Sequence, residues 1–317
     1  MPTKRWTKQL VLVAAVTLAA AAVLIWQPWR EALPVPVACP ERWGGDADGF
    51  GFGGWVPAAA DLPGVEESLV PGTPIEVMIC AYPGSNTHPG NERLAGSRIL
   101  TGGAEQMARD LAYLPVGADL GGCTLMGGPM TSYLIRFTYP DQRRLWVGSA
   151  DEVNACVTTT NGTATSRAYV GRDITAAYRS GTWTLKGPED PCRDPGARRG
   201  QNVRMVPDDP TSVLICWDNA KIAYTERAPR ARYGRDVAKS LTAALNSVDI
   251  LPSRPGCRRD DSASDQRTFR LMFGYPDGPA ARVTVMLGCA PAIANGLLQA
   301  DIDDSVRRQV TRLAPPQ

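Results

Sequence analysis

Phe137-Thr-Tyr139-Pro140-Asp141 returns later in the chain as Phe273-Gly-Tyr275-Pro276-Asp277, each time between two cysteines. Upstream of each copy stands an apolar run ending in Ile-Cys, at Ile79-Cys80 and at Ile215-Cys216. Met107, Leu111 and Leu114 lie 16, 12 and 9 residues before Cys123, and Leu241, Leu245 and Val248 keep those distances before Cys257. Asn161-Gly162 follows Cys156, and Asn295-Gly296 follows Cys289. A turn motif, three apolar spacings and four cysteines recurring in one order read as an internal duplication.

The repeat implies an architecture. In the first copy, residues 74–82 read as a strand and 104–114 as a helix by apolar spacing. Residues 133–139 and 145–148 read as a hairpin around Pro140-Asp141. Asn161-Gly162 marks a tight turn, because both residue types accept positive φ. A strand over 163–170 and a short helix capped by Asp173 follow. The second copy gives strands near 212–216, 269–275 and 282–287, with helices over 236–248 and 305–313. The expected fold class is α+β: two tandem homologous modules of order β-α-β-β-β-α, disulfide-stapled, each an antiparallel sheet with helices on one face.

One N-terminal transmembrane helix is expected to precede them. Residues 10–26 form an uncharged run, just long enough to cross a hydrocarbon core. Lys4, Arg5 and Lys8 come before it, so the positive-inside rule keeps residues 1–9 in the cytoplasm and exports everything after Pro28. A cleaved signal peptide ending near Ala19-Ala20-Ala21 and lipid attachment at Cys39 are the alternatives. Residues 27–65 read as a Pro/Gly-rich spacer, 66–184 as module one and 190–314 as module two. The overall charge of +2 divides into about −2 for the first module and +4 for the second.

An oxidising exterior lets all eight cysteines pair. In each copy the third cysteine precedes the first hairpin strand and the fourth follows the second, so antiparallel pairing brings them together. This predicts Cys123 with Cys156 and Cys257 with Cys289, and by elimination Cys39 with Cys80 and Cys192 with Cys216. Each bridge closes a loop worth roughly 3 to 4 kcal/mol of chain entropy.

Motifs that carry chemistry are scarce. Gly49-x-Gly51-x-x-Gly54 lacks the preceding strand and following helix of a dinucleotide site. Asp46-Ala47-Asp48-Gly49 begins like a calcium loop but meets Pro57 where the closing carboxylate belongs. The aromatics Trp43, Phe50, Phe52 and Trp55 read as pegs holding the spacer against module one, with sugar stacking or lipid contact as alternatives. His88 is the only histidine, so imidazole-based nucleophilic catalysis would have to use it. Asp208-Asp209, Asp260-Asp261 and Asp303-Asp304 offer paired carboxylates, which glycoside hydrolysis demands, yet they sit at turns and a helix start. No catalytic residue, metal ligand or cofactor is assigned. One basic cluster stands out: Arg227, Arg230, Arg232 and Arg235, read as a loop before the second module's helix and a candidate anion-binding site. Module one has only Arg93 and Arg98 there.

A strand ending Ile-Cys, a helix, a cysteine, aromatic strands around Tyr-Pro-Asp and a further cysteine resemble uncharacterised exported, membrane-anchored tandem-module proteins of high-GC Gram-positive bacteria. That resemblance spans about residues 39–317 and implies no activity. In outline the chain is also similar to the β-lactamase inhibitory protein, a likeness of fold alone. Together these readings point to a membrane-anchored extracytoplasmic cell-envelope protein that acts by binding. Its expected partners are the lipid bilayer through residues 10–26 and an envelope protein or anionic polymer, with nucleic acid excluded by the compartment. A carboxylate-dependent enzyme acting on cell-wall carbohydrate, and an inhibitor or structural spacer, are the alternatives.

Overall fold

The computed structural model describes residues 38–44, 54–59, 61–117, 126–187, 190–193, 196–218, 228–254, 256–259 and 265–316. These residues form a mixed α+β structure with antiparallel sheets. The expected anchor at 10–26 lies outside them, and no described helix is long and apolar enough to cross a membrane.

In the first half, β1 (Glu76–Ser85) pairs with β2 (Gly96–Ile99) on one side and β3 (Pro129–Thr138) on the other. Strand β4 (Arg144–Glu152) extends the sheet to the short β5 (Thr159–Thr160) and β6 (Thr165–Ser166). Alternation decides the faces. Val77, Ile79, Ile135, Phe137, Leu145 and Val147 are buried on one side, where Met107 and Leu111 of α1 (Ala104–Ala112) and Ile174 and Ala177 of α2 (Gly171–Ser180) meet them. Both helices therefore cover one face.

The second half has β7 (Ser212–Asp218), β8 (Arg230–Gly234), α3 (Arg235–Asn246), β9 (Leu251–Pro252), β10 (Arg258–Arg259), β11 (Thr268–Gly274), β12 (Ala281–Met286), β13 (Cys289–Ala290), β14 (Ile293–Ala294), β15 (Leu298–Ala300) and α4 (Asp304–Leu313). The main sheet runs β8-β7-β11-β12-β14-β15-β9, and β10 pairs with β13 apart from it. Leu241 and Leu245 of α3 and Val306 and Val310 of α4 pack on Val213, Ile215, Leu271, Phe273 and Val283.

Four details depart from the expected order. Each half carries an additional strand, β2 or β8, between the Ile-Cys strand and the first helix. The predicted strand over 163–170 reduces to β6, because the chain turns back at Ser166, whose Oγ accepts from Ala168 N at 3.2 Å. Asp173 is not a cap: it lies inside α2, with Val170 at the N-cap. The 27–65 stretch, expected as a spacer, is partly built into the first half, since Leu62 and Val65 join its core. The outer face of its sheet is covered by the chain as well. Trp43 is buried and its ring lies 5.4 Å from Trp55 and 5.7 Å from Tyr82. A Cβ on Gly148 would fall 2.1 Å from the Trp55 carbonyl oxygen, so the backbone can cross β4 only over a residue without a side chain.

Two buried asparagines clamp the halves internally. Asn161 Nδ2 donates to the carbonyls of Val65 (3.0 Å), Ser68 (3.0 Å) and Leu69 (3.3 Å), while Oδ1 accepts from Thr163 N (2.8 Å) and Ala164 N (2.6 Å). Asn295 repeats the pattern on Gln201 (2.9 Å), Arg204 (3.2 Å) and Met205 (3.2 Å), accepting from Leu297 N (2.9 Å) and Leu298 N (2.8 Å). Tyr139 Oη donates to Pro71 O at 2.6 Å, and Tyr275 Oη to Pro207 O at 2.7 Å. In both halves the segment entering the sheet is tied to the far hairpin.

Three expected disulfides are present: Cys39–Cys80, Cys192–Cys216 and Cys257–Cys289. Cys156 is disulfide-bonded, and its expected partner Cys123 lies outside the described residues. Cys80 and Cys216 stand on outer-facing positions of β1 and β7, so each bridge pins a preceding segment across the face that carries no helix.

Asn161→Ala and Asn295→Ala each leave buried carbonyls unpaired and are expected to cost about 3 kcal/mol, read as a lowered urea midpoint with an unchanged slope. A loss below about 0.5 kcal/mol would show that these amides do not clamp the halves.

Candidate functional site

The expected basic loop is a strand. Arg230-Ala-Arg232-Tyr-Gly234 alternates, and its Tyr233 ring packs against the helix-side core while Tyr233 Oη donates to Leu313 O at 2.8 Å. That inward anchor makes the stretch the edge strand β8, with Arg230 and Arg232 on the opposite face. Arg230 Nη1 pairs with Asp190 at 3.2 Å and the residue is half-buried. Arg232 and Arg235, the latter opening α3, are exposed. The structure thus brings three of the four predicted arginines to one sheet edge, and Arg227 lies outside the described residues. In the first half, Arg93 forms an isolated bridge with Arg42, and Arg98 sits in β2.

The other face-lying charges nearby are already engaged. Asp190 also meets Arg193 at 3.5 Å, and Asp218 meets Arg270 at 2.8 Å. Arg270 Nη1 further donates to Cys192 O at 3.0 Å, which seats the bridged Cys192 turn against β7 and β11.

The carboxylate pairs are spent locally. Asp208 pairs with Arg204 at 2.5 Å, and Asp209 faces Lys239 at 3.7 Å. Asp303 caps α4 by accepting from Val306 N at 2.7 Å, with Asp304 in the first turn. Asp260 and Asp261 lie outside the described residues. His88 is exposed, with Nδ1 3.0 Å from Thr87 Oγ1. Among the described residues no cluster of three or more His, Cys, Asp or Glu is arranged to hold a metal ion.

Sequence reading missed the densest polar site, the junction between the halves. Arg198 is buried with its guanidinium carbon 4.0 Å from the centre of the Tyr113 ring and 3.9 Å from that of Tyr275. Its Nη1 donates to the carbonyls of Asp277 (2.6 Å) and Pro279 (3.1 Å). Burial lowers the guanidinium to about 10, so it remains a cation at neutral pH. Two π faces and two carbonyls compensate the lost water. The same turn reaches α1: Gly278 N donates to Asp110 Oδ1 at 2.6 Å, and Asp277 Oδ1 accepts from Gln106 Nε2 (3.0 Å) and Arg109 Nε (3.1 Å). Trp183 Nε1 donates to the other oxygen of buried Asp110 at 2.7 Å. Gly278 has φ 71°, and a Cβ there would come within 2.6 Å of Tyr113 Cβ. The available signal was Gly278 itself, since the first-half turn has Gln142 at that place, also with positive φ at 66°.

Arg198→Ala opens this slot and is expected to cost about 3 kcal/mol from the lost cation–π contacts and two orphaned carbonyls. Limited proteolysis between residues 184 and 200 should accelerate, and unchanged cleavage would refute the junction's role. Nearby, burial raises the Asp173 carboxyl above the ordinary aspartate range. The fold binds that proton more tightly than the unfolded chain, so stability from this group is full below the ordinary range and is lost as pH rises through the raised value. Asp173→Asn, which keeps an acceptor for Lys186 N (3.1 Å), should be more stable than the parent at neutral pH and equal to it in acid, measured by Tm against pH.

Comparison with known proteins returns no matching family model, no similar curated protein and no similar solved structure.

Proposed function

We propose that the chain is a membrane-anchored, extracytoplasmic cell-envelope protein that arose by duplication of one disulfide-stapled half and works by binding, with the basic edge of its second sheet as the contact surface. The observation that carries this reading is how the recurring residues are used. The cysteines of the three bridges, both turn tyrosines and both asparagines hold the interior together. What recurs is therefore structural, and what differs is the exposed charge at β8. Matching sheet orders at β2-β1-β3-β4 and β8-β7-β11-β12 support the duplication. The bridges support an oxidising compartment, as does the resemblance to exported proteins of high-GC Gram-positive bacteria.

Two measurements test the reading. Protease added to intact cells should remove the folded region while residues 1–9 stay protected, and cysteines found reduced in the cytoplasm would rule export out. Anionic envelope polymers or envelope proteins retained by the wild-type chain should be lost with Arg230→Ala, Arg232→Ala and Arg235→Ala combined; full retention by that variant removes the basic edge from the proposal.

A further inference from the structure

Among the described residues, strand β8 is bonded on one side only. Trp217 N donates to Pro229 O at 2.9 Å, which sets the antiparallel alternation. Ala231 and Tyr233 then exchange bonds with Ile215 and Val213. Arg230 and Arg232 turn their N–H and C=O groups away from the sheet, as Gly234, the N-cap of α3, does its N–H. A row of outward main-chain donors and acceptors is a template for another strand. Its charge is unbalanced too, because Asp190 and Asp218 are taken by Arg230, Arg193 and Arg270. No carboxylate of the described residues lies within ion-pair distance of Arg232 or Arg235.

The chain itself displays an extended segment laid on the corresponding hairpin of the first half. Residues 41–43 run antiparallel to 91–94, just before β2: Trp43 N donates to Glu92 O (2.8 Å), Asn91 N to Trp43 O (3.2 Å) and Leu94 N to Glu41 O (2.9 Å). The matching stretch of the second half, just before β8, lies outside the described residues.

We propose that β8 receives an extended polypeptide segment of a partner by strand addition, and that this segment carries carboxylates at alternate positions. The inference rests on the binding reading above and supplies the chemistry of the ligand. Alternation follows from the pleat: side chains two apart share a face and fall opposite Arg230 and Arg232 on the sheet's outer side. A backbone satisfies both the outward N–H and the outward C=O groups. An anionic polymer offers acceptors only and leaves the outward carbonyls of Arg230 and Arg232 unmet.

The test uses the folded full chain with its disulfides intact and a capped peptide alternating Glu and Thr. Binding should slow hydrogen exchange at the amides of Arg230, Arg232 and Gly234. Combined Arg232→Glu and Arg235→Glu, both at exposed positions, should weaken binding about tenfold or more. A peptide N-methylated at every residue, with no N–H left on either edge, should not bind, and a Lys-for-Glu peptide should not bind at all. If the methylated and plain peptides bind equally while charge reversal still weakens both, strand addition is overturned and the basic-surface reading stands. Tight binding of inorganic polyphosphate with no binding of the acidic peptide assigns the edge to anionic polymers and overturns the proposal. If charge reversal changes binding of neither probe, the underlying reading falls with it.

Discussion

The cation of Arg198, held between the rings of Tyr113 and Tyr275, joins the two halves of the described structure. A buried guanidinium is costly unless its charge and its N–H groups are met, so the slot admits few alternative arrangements. Tyr275 serves twice: its ring forms one wall, and its hydroxyl is tied to Pro207 O within the second half. Any shift of one half against the other would break the stacking, the two carbonyl bonds and the Gly278–Asp110 bond together. The orientation of the β8 edge relative to the first half follows from that lock.

The same turn in the first half has no such duty. Asp141 there pairs with its neighbour Arg143 at 2.6 Å, and the turn from Pro140 to Arg143 is exposed. The motif thus supplies an outward tip in both halves, and among the described residues only the second tip meets a complementary surface. On α1 that surface is Gln106, Arg109 and Asp110, polar residues at helical spacing on a solvent-side stripe that became an interface.

Much of the sheet architecture was legible in the residues. Apolar runs gave β1, β3, β7 and β11; antiparallel logic gave Cys257–Cys289, and elimination gave Cys39–Cys80 and Cys192–Cys216. Strand β2 escaped because Gly96-Ser-Arg-Ile99 lies at an exposed edge, where neither face demands apolar side chains. Strand β8 escaped for a related reason: its arginines dominated the reading, while the inward Ala231 and Tyr233 that define its alternation are only two residues. Asn161 and Asn295 were read as turn formers; nothing local to them announces that their amides reach carbonyls far back in the chain.

By itself the sequence determined which residues must lie inside, which cysteines can meet and that two similar halves are expected, because periodicity and spacing are local properties of the chain. Tertiary structure decided the Arg198 slot, the asparagine clamps and the edge position of β8 among the described residues. Each depends on groups brought together from separate elements, and the free energy of a buried cation, an amide or an unpaired strand edge is set by what stands opposite it.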